Sequence, residues 1–330
     1  MSGWPLHTWD GLEIAAEHPH GSTVVVRRPR RDGLDYLLLH RNANGAAFEG
    51  DWAWTAPAGA RQPAEAVFPA ALRELAEEAG LTGLSPWAVD LSHRWAVFAV
   101  DVPAHTAVEL VDPEHDRFEW LTPQECRRRV LPAFVAAQQV DQTARVPTGA
   151  LTFRPMEHGD LPTVLQWQRA VHAEDWFHGS RTTLTDVQRR YGSRLDGRQP
   201  TRMWVAQLDR VDIGYLQDYR VGDHDDYAVK TGLPDAVGFD YLIGEPSLVG
   251  RGLGTRMIWS YLVDVVAPHY PAARAFLASP DHRNTASLRA LEKCGFRAGA
   301  WIDVPGRRGE PASTEIVCTF DRIHWLGGLR

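Results

Sequence analysis

Short apolar runs alternate with polar stretches along the chain, and their spacing predicts strands and helices interleaved throughout. Residues 23–26 and 36–39 are β-rich runs separated by RRPRRDGLD, which predicts a hairpin whose basic turn is solvated. Trp52 and Trp54 alternate into a further strand and are expected to pack. Ala70, Leu72, Ala76 and Ala79 then favour a helix, with Pro69 tolerated in its first turn. Residues 95–102 read as another strand, and residues 111–140 as a strand and then a helix. Beyond a polar stretch the order is a strand at 151–156, helices at 158–176 and 184–195, and strands at 201–208, 211–219 and 236–246. A glycine-rich turn follows and opens an amphipathic helix. This order predicts an α/β (α+β) class. The stretch 142–150 carries one Pro and one Gly and reads as a linker between domains at 1–141 and 151–330.

Composition narrows the function. A chain of 330 residues is long for one core. Net charge −7 and a pI near 6.0 argue against coating nucleic acid or a membrane surface. Cys126, Cys294 and Cys318 have no paired or metal-ligand spacing, which suits a reducing compartment. No signal peptide or spanning stretch is visible, so a cytoplasmic enzyme acting on small molecules is expected. Oligomeric state leaves no trace in the sequence.

The most specific stretch is GARQPAEAVFPAALRELAEEAGL, residues 59–81. On a helix Glu74, Glu77 and Glu78 fall at i, i+3 and i+4, so three carboxylates share one face. Like charges at that spacing repel unless a cation sits among them, and Mg²⁺ is the natural guest. The frame Gly59, Glu65, Arg73-Glu74-Leu75, Glu77-Glu78, Gly80-Leu81 resembles the Nudix box at every defined position. The resemblance implies an α/β/α sandwich hydrolysing a nucleoside diphosphate derivative. Glu74, Glu77 and Glu78 would be the metal ligands, with Glu77 and Glu78 catalytic, while Glu65 and Arg73 orient them. Arg41 is placed to touch a phosphate, and Glu114-His115 with Trp120 resembles a segment from which such enzymes take a further base or ligand.

In the second half, Val249-Gly250-Arg251-Gly252-Leu253-Gly254-Thr255 lies between a strand and a helix. Small residues there let backbone N–H groups and the helix dipole approach an anion. With Asn284 and Gly295-Phe296 further on, the pattern resembles GNAT acetyltransferases. That implies a mixed sheet flanked by helices, with acetyl-coenzyme A bound at Val249 to Thr255 and beside Asn284. Two positions depart from the pattern: Val249 replaces the usual Arg or Gln, and Leu291 replaces the Tyr that often protonates the leaving thiolate, leaving water or Tyr241 for that step.

Within the superfamily, residues 151–320 resemble aminoglycoside 6′-N-acetyltransferases. The resemblance assigns Asp240 as catalytic base or anchor, and Asp225, Trp176 and Tyr191 to the acceptor pocket. Carboxylates suit an ammonium acceptor, which must lose a proton before attacking a thioester. Ser279 stands where that family has another acid, with Asp281 nearby. The run at Ile243 to Pro246 is also similar to hydroxamate-siderophore acyltransferases, which carry His at the position of Asp240. A bifunctional enzyme is therefore expected. The alternatives are a nucleotide-sensing first half that regulates the second, or a protein or siderophore precursor as acceptor.

Overall fold

Residues 27–35 do not form a broad solvated loop. Two strands, β1 (Gly21–Arg30) and β2 (Gly33–Arg41), run through most of them and turn at two residues. Arg28 and Arg30 both pair with Asp35 across the hairpin. Arg27 is fully buried, bonded to Asp101 at 2.7 Å and to the main-chain carbonyls of Thr143 and Val146. The computed structural model describes residues 7–8, 11–177, 183–305 and 312–328.

Five further strands complete the first sheet: β3 (Trp54–Thr55), β4 (Ala58–Ala60), β5 (Trp87–Asp90), β6 (Trp95–Asp101) and β7 (His115–Leu121). Their order is β3-β2-β1-β6-β5, with β4 on β1 and β7 on β2. Strands β1 and β6 run parallel; the other pairs are antiparallel. The second sheet holds β8 (Leu151–Pro155), β9 (Thr201–Leu208), β10 (Val211–Arg220), β11 (Val237–Ile243), β12 (Ala275–Ala278), β13 (Arg297–Val304) and β14 (Ser313–Asp321). It is ordered β13-β14-β12-β11-β10-β9-β8. Strands β11 and β12 pair in parallel only through Val237–Phe276 and Gly238–Leu277, so they part before Asp240. The expected helix at 158–176 is broken into Leu161–Gln168 and Glu174–Phe177, and Asp225 opens a short helix, Asp225–Thr231. No helix among the described residues is long and apolar enough to cross a membrane.

The join at 142–150, which reads as a linker in sequence, is packed against both halves. Val146 is buried, Arg27 holds the carbonyls of Thr143 and Val146, and Arg256 donates to Pro147 O and Gly149 O, both at 2.6 Å. One apolar core then runs through both sheets. At its centre Trp259 packs edge-on against Phe68 and Phe98, with ring centroids 5.4 and 5.3 Å away, and donates to Pro86 O. The two halves therefore share buried aromatic surface, because the helix carrying Trp259 packs on the first half, at Phe68 and Phe98, as well as on Phe320 of its own half.

Candidate active sites

The helix Val67–Ala79 buries Val67, Ala70, Ala71 and Leu75 against the first sheet, and Gly80 ends it in a left-handed cap. Glu74 and Glu78 are buried with that apolar face, whereas the Glu77 side chain is half exposed. Gly59 matters here because a Cβ at that position would collide with the Glu74 carboxylate. Arg73 gathers the acids: it donates to both Glu65 oxygens at 2.9 and 3.0 Å, to Glu74 at 2.7 Å and to Glu77 at 2.9 Å. Burial would raise the Glu65 carboxyl, but bonds from Arg73 and the Gln62 N–H hold it below its ordinary value.

Glu78 accepts from the Ala58 N–H at 2.8 Å, yet burial, with the charges of Glu74 and Glu114, pushes it up to about 8. Burial likewise raises Glu74. Arg41 and Glu114, 3.5 Å apart, lie close enough to Glu78 to act on its charge. The structure thus brings those two singled-out residues to the box. His115 is buried beside Arg41 and pushed down to about 4, with no hydrogen-bond partner for either ring nitrogen among the described residues. The two tryptophans behave differently: Trp54 is buried and donates to Glu49, but Trp52 is 46% exposed, edge-on to Phe134. Buried carboxylates held above their usual range are the chemistry a hard divalent ion satisfies. Arg73 pairs with Glu74 and Glu77, Glu78 is held by the Ala58 N–H, and no group of three or more His, Cys, Asp or Glu converges among the described residues.

In the second half, Gly250 (φ 74°) and Gly252 (φ 83°) adopt the left-handed backbone that glycine permits. Gly252 caps the helix Leu253–Tyr261 with no side-chain bond and no acid in the first turn, so the first N–H groups are left for a ligand. Leu253 and Thr255 are buried and anchor the turn, while Val249 is exposed. Asn284 caps the helix Thr285–Lys293 by accepting from the Ser287 N–H, and the Tyr241 hydroxyl meets Ser287 Oγ at the same turn. Burial holds the Tyr241 phenol above its usual range. Leu291 is fully buried, a packing residue.

Asp240 is exposed on β11, just beyond the parting of the strands, and accepts a bond from Gln217 Nε2. Asp225 is exposed at the start of its helix, and Asp281 is held low chiefly by Arg283. Ser279 bonds the Tyr227 hydroxyl at 2.7 Å. Tyr191 is buried, its hydroxyl bonded to Gln168 and near Tyr215, while Trp176 is partly buried. Glu315 was not apparent from sequence. Strand β14 brings it beside Asp281, and burial with the charges of Asp240 and Asp281 pushes it up to about 7. No motif marks it; only the sheet pairing could have.

Residues 18–142 match the NUDIX domain model, and residues 157–304 match the acetyltransferase (GNAT) domain model. The chain is 29% identical over 159 residues to aminoglycoside N(6′)-acetyltransferase type 1 of Klebsiella pneumoniae, covering 47% of this chain and 78% of that protein. It is 27% identical over 176 residues to lysine N-acyltransferase MbtK of Mycolicibacterium paratuberculosis, covering 51% of this chain and 78% of that protein. The solved aminoglycoside acetyltransferase AAC(6′)-Ib in complex with coenzyme A aligns with a TM-score of 0.46 and 26% identity, over 53% of this chain and 96% of that one.

Proposed function

We propose that the chain is a bifunctional enzyme: a Mg²⁺-dependent hydrolase of a nucleoside diphosphate derivative, and an acetyl-coenzyme A-dependent N-acetyltransferase of a small polyamine or aminosugar. The observation that supports the reading is that both constellations occur in one chain. Glu74, Glu78 and Arg73 stand together in one half, and an uncapped helix on left-handed glycines stands near the exposed Asp240 strand in the other.

In the first half Glu74, Glu77 and Glu78 would hold the metal, which neutralises phosphate charge and lowers the pKa of bound water. Arg73 and Glu65 orient those carboxylates, and Arg41 offers a cation to a phosphate oxygen. In the second half the N–H groups at Gly250 to Thr255 hold the donor's pyrophosphate, and Asn284 keeps its helix beside the pantetheine arm. Asp240 attracts the ammonium group and takes its proton; Asp225, Asp281 and Glu315 supply further negative charge, with Trp176 and Tyr191 shaping the pocket. The names of both curated relatives support a cationic amine acceptor.

A panel of nucleoside diphosphate derivatives with Mg²⁺, and a panel of amines with acetyl-coenzyme A, test the two activities on one preparation. Absence of turnover in either panel would remove that activity. The shared core favours one second reading, in which nucleotide held by the first half regulates the transferase.

A further inference from the structure

The glycine turn borders a cavity of about 330 Å³ whose other walls come from the first half, the join and Lys293. Trp87 of β5, Arg145 and Val146 of the join, and Gly252, Thr255 and Lys293 of the second half line it. The join is fixed against the turn: a Cβ at Gly252 would lie 2.8 Å from Val146 Cγ2, and Arg251 Nε donates to Arg145 O at 3.3 Å. Positive charge dominates the lining. Arg145, Arg251 and Lys293 face one lining carboxylate, Asp141, which pairs with Arg127. Lys293 is held in position by Asp90 at 3.2 Å and Gln142 at 2.8 Å. Trp87 is 96% buried beneath the guanidinium groups of Arg27 and Arg256, and its indole N–H has no acceptor among the described residues. An unpaired buried donor, an uncapped helix start and surplus guanidinium charge all ask for an anion.

We propose that this cavity between the halves binds the phosphorylated nucleotide end of the acetyl donor, with Arg145 and Lys293 contacting its phosphates. The inference rests on the acetyl-coenzyme A reading above, and goes beyond it by making the first half and the join part of the transferase's cofactor site. Asn284 caps the helix that Lys293 ends, so a donor lying along that helix with its pantetheine arm at Asn284 would have its phosphorylated end at Lys293, in the lining of this cavity. The transferase half alone therefore lacks part of its own cofactor pocket, and occupancy there draws the two halves together.

The test is calorimetry on the full chain with coenzyme A and with adenosine 3′,5′-bisphosphate, which keeps the 3′-phosphate and one phosphate of the pyrophosphate and lacks the pantetheine arm. Arg145 is exposed, so Arg145→Ala leaves the fold intact, checked by an unchanged Tm without ligand. The expected result is a Kd raised about 10-fold for both ligands, partly restored in Arg145→Lys, with Lys293→Gln weakening both further. Coenzyme A affinity unchanged in Arg145→Ala, or adenosine 3′,5′-bisphosphate failing to compete with coenzyme A, would overturn the assignment while leaving the acetyl-donor reading in place. A wild-type chain that binds no coenzyme A would instead remove that reading, and this one with it.

Discussion

The two candidate sites handle negative charge in opposite ways. Around the box, Glu74 and Glu78 are buried and already gathered by a resident cation, Arg73, or held by a main-chain N–H. Around the second site, Asp240 and Asp225 are exposed, and Asp240 accepts from a neutral amide. Buried carboxylates gain most from a small hard ion that replaces lost water on several sides. Exposed ones can receive a large cationic molecule from solvent, each contact being individually weaker. The contrast teaches that acidic residues of equal sequence prominence serve different guests according to burial.

The largest expected effect tests what the sites share rather than what divides them. Trp259→Ala should cost about 3–5 kcal/mol, because it empties the centre of the common core. Scanning calorimetry of the full chain should show one transition moving down, and expressing 1–145 and 148–330 separately should yield aggregating fragments. Two independent transitions, with only one displaced, would show that the halves fold apart.

Glu78→Gln removes a ligand charge and should lower Mg²⁺-dependent hydrolysis at least ~10²-fold, since the metal supplies several kcal/mol. Acetyl transfer by the same variant should be unaltered. Full hydrolysis by a folded variant would remove Glu78 from the site. Asp240→Asn should cost about 10²-fold in acetylation turnover, the scale of a lost general base, with coenzyme A affinity unchanged because the glycine turn is untouched. Normal turnover on the best acceptor would exclude Asp240 from the proton transfer.

The smallest effect sharpens the contrast by pH. Burial first, then Asp240 and Asp281, raise Glu315 from 4.5 to about 7, against a lowering by Lys230. A carboxyl raised in the folded state stabilises it fully below pH 4.5, and that contribution fades as pH climbs through about 7. Ionised Glu315 attracts an ammonium group, so acceptor KM should fall several-fold as pH rises through this range, and Glu315→Gln should flatten the slope. An identical slope in the variant would place Glu315 outside the acceptor pocket.

These differences explain which parts were legible in sequence. The box was, because fixed spacing on one helix puts Glu74 and Glu78 on the same side whatever packs there. The glycine turn was legible for the same reason: Gly250 and Gly252 mark a local backbone need. Arg27 looked like a solvated loop residue, since its partners Asp101 and Val146 lie 74 and 119 positions away. Trp52 and Trp54 looked equivalent, but pairing of β3 with β2 buries only Trp54. Glu315 and Trp259 gain their meaning from a strand pairing and a core contact that no local pattern records. The polar composition of 142–150 marked a linker but not its packing, because main-chain carbonyls held by Arg27 and Arg256 are invisible in residue types.

A crossed assay tests the central claim of two active sites in one packed chain most directly. Hydrolysis and acetylation are measured on wild type, Glu78→Gln and Asp240→Asn, each full length and folded. The prediction is that wild type performs both reactions and each variant loses only its own. A wild type lacking either reaction, or a single substitution abolishing both, would contradict it.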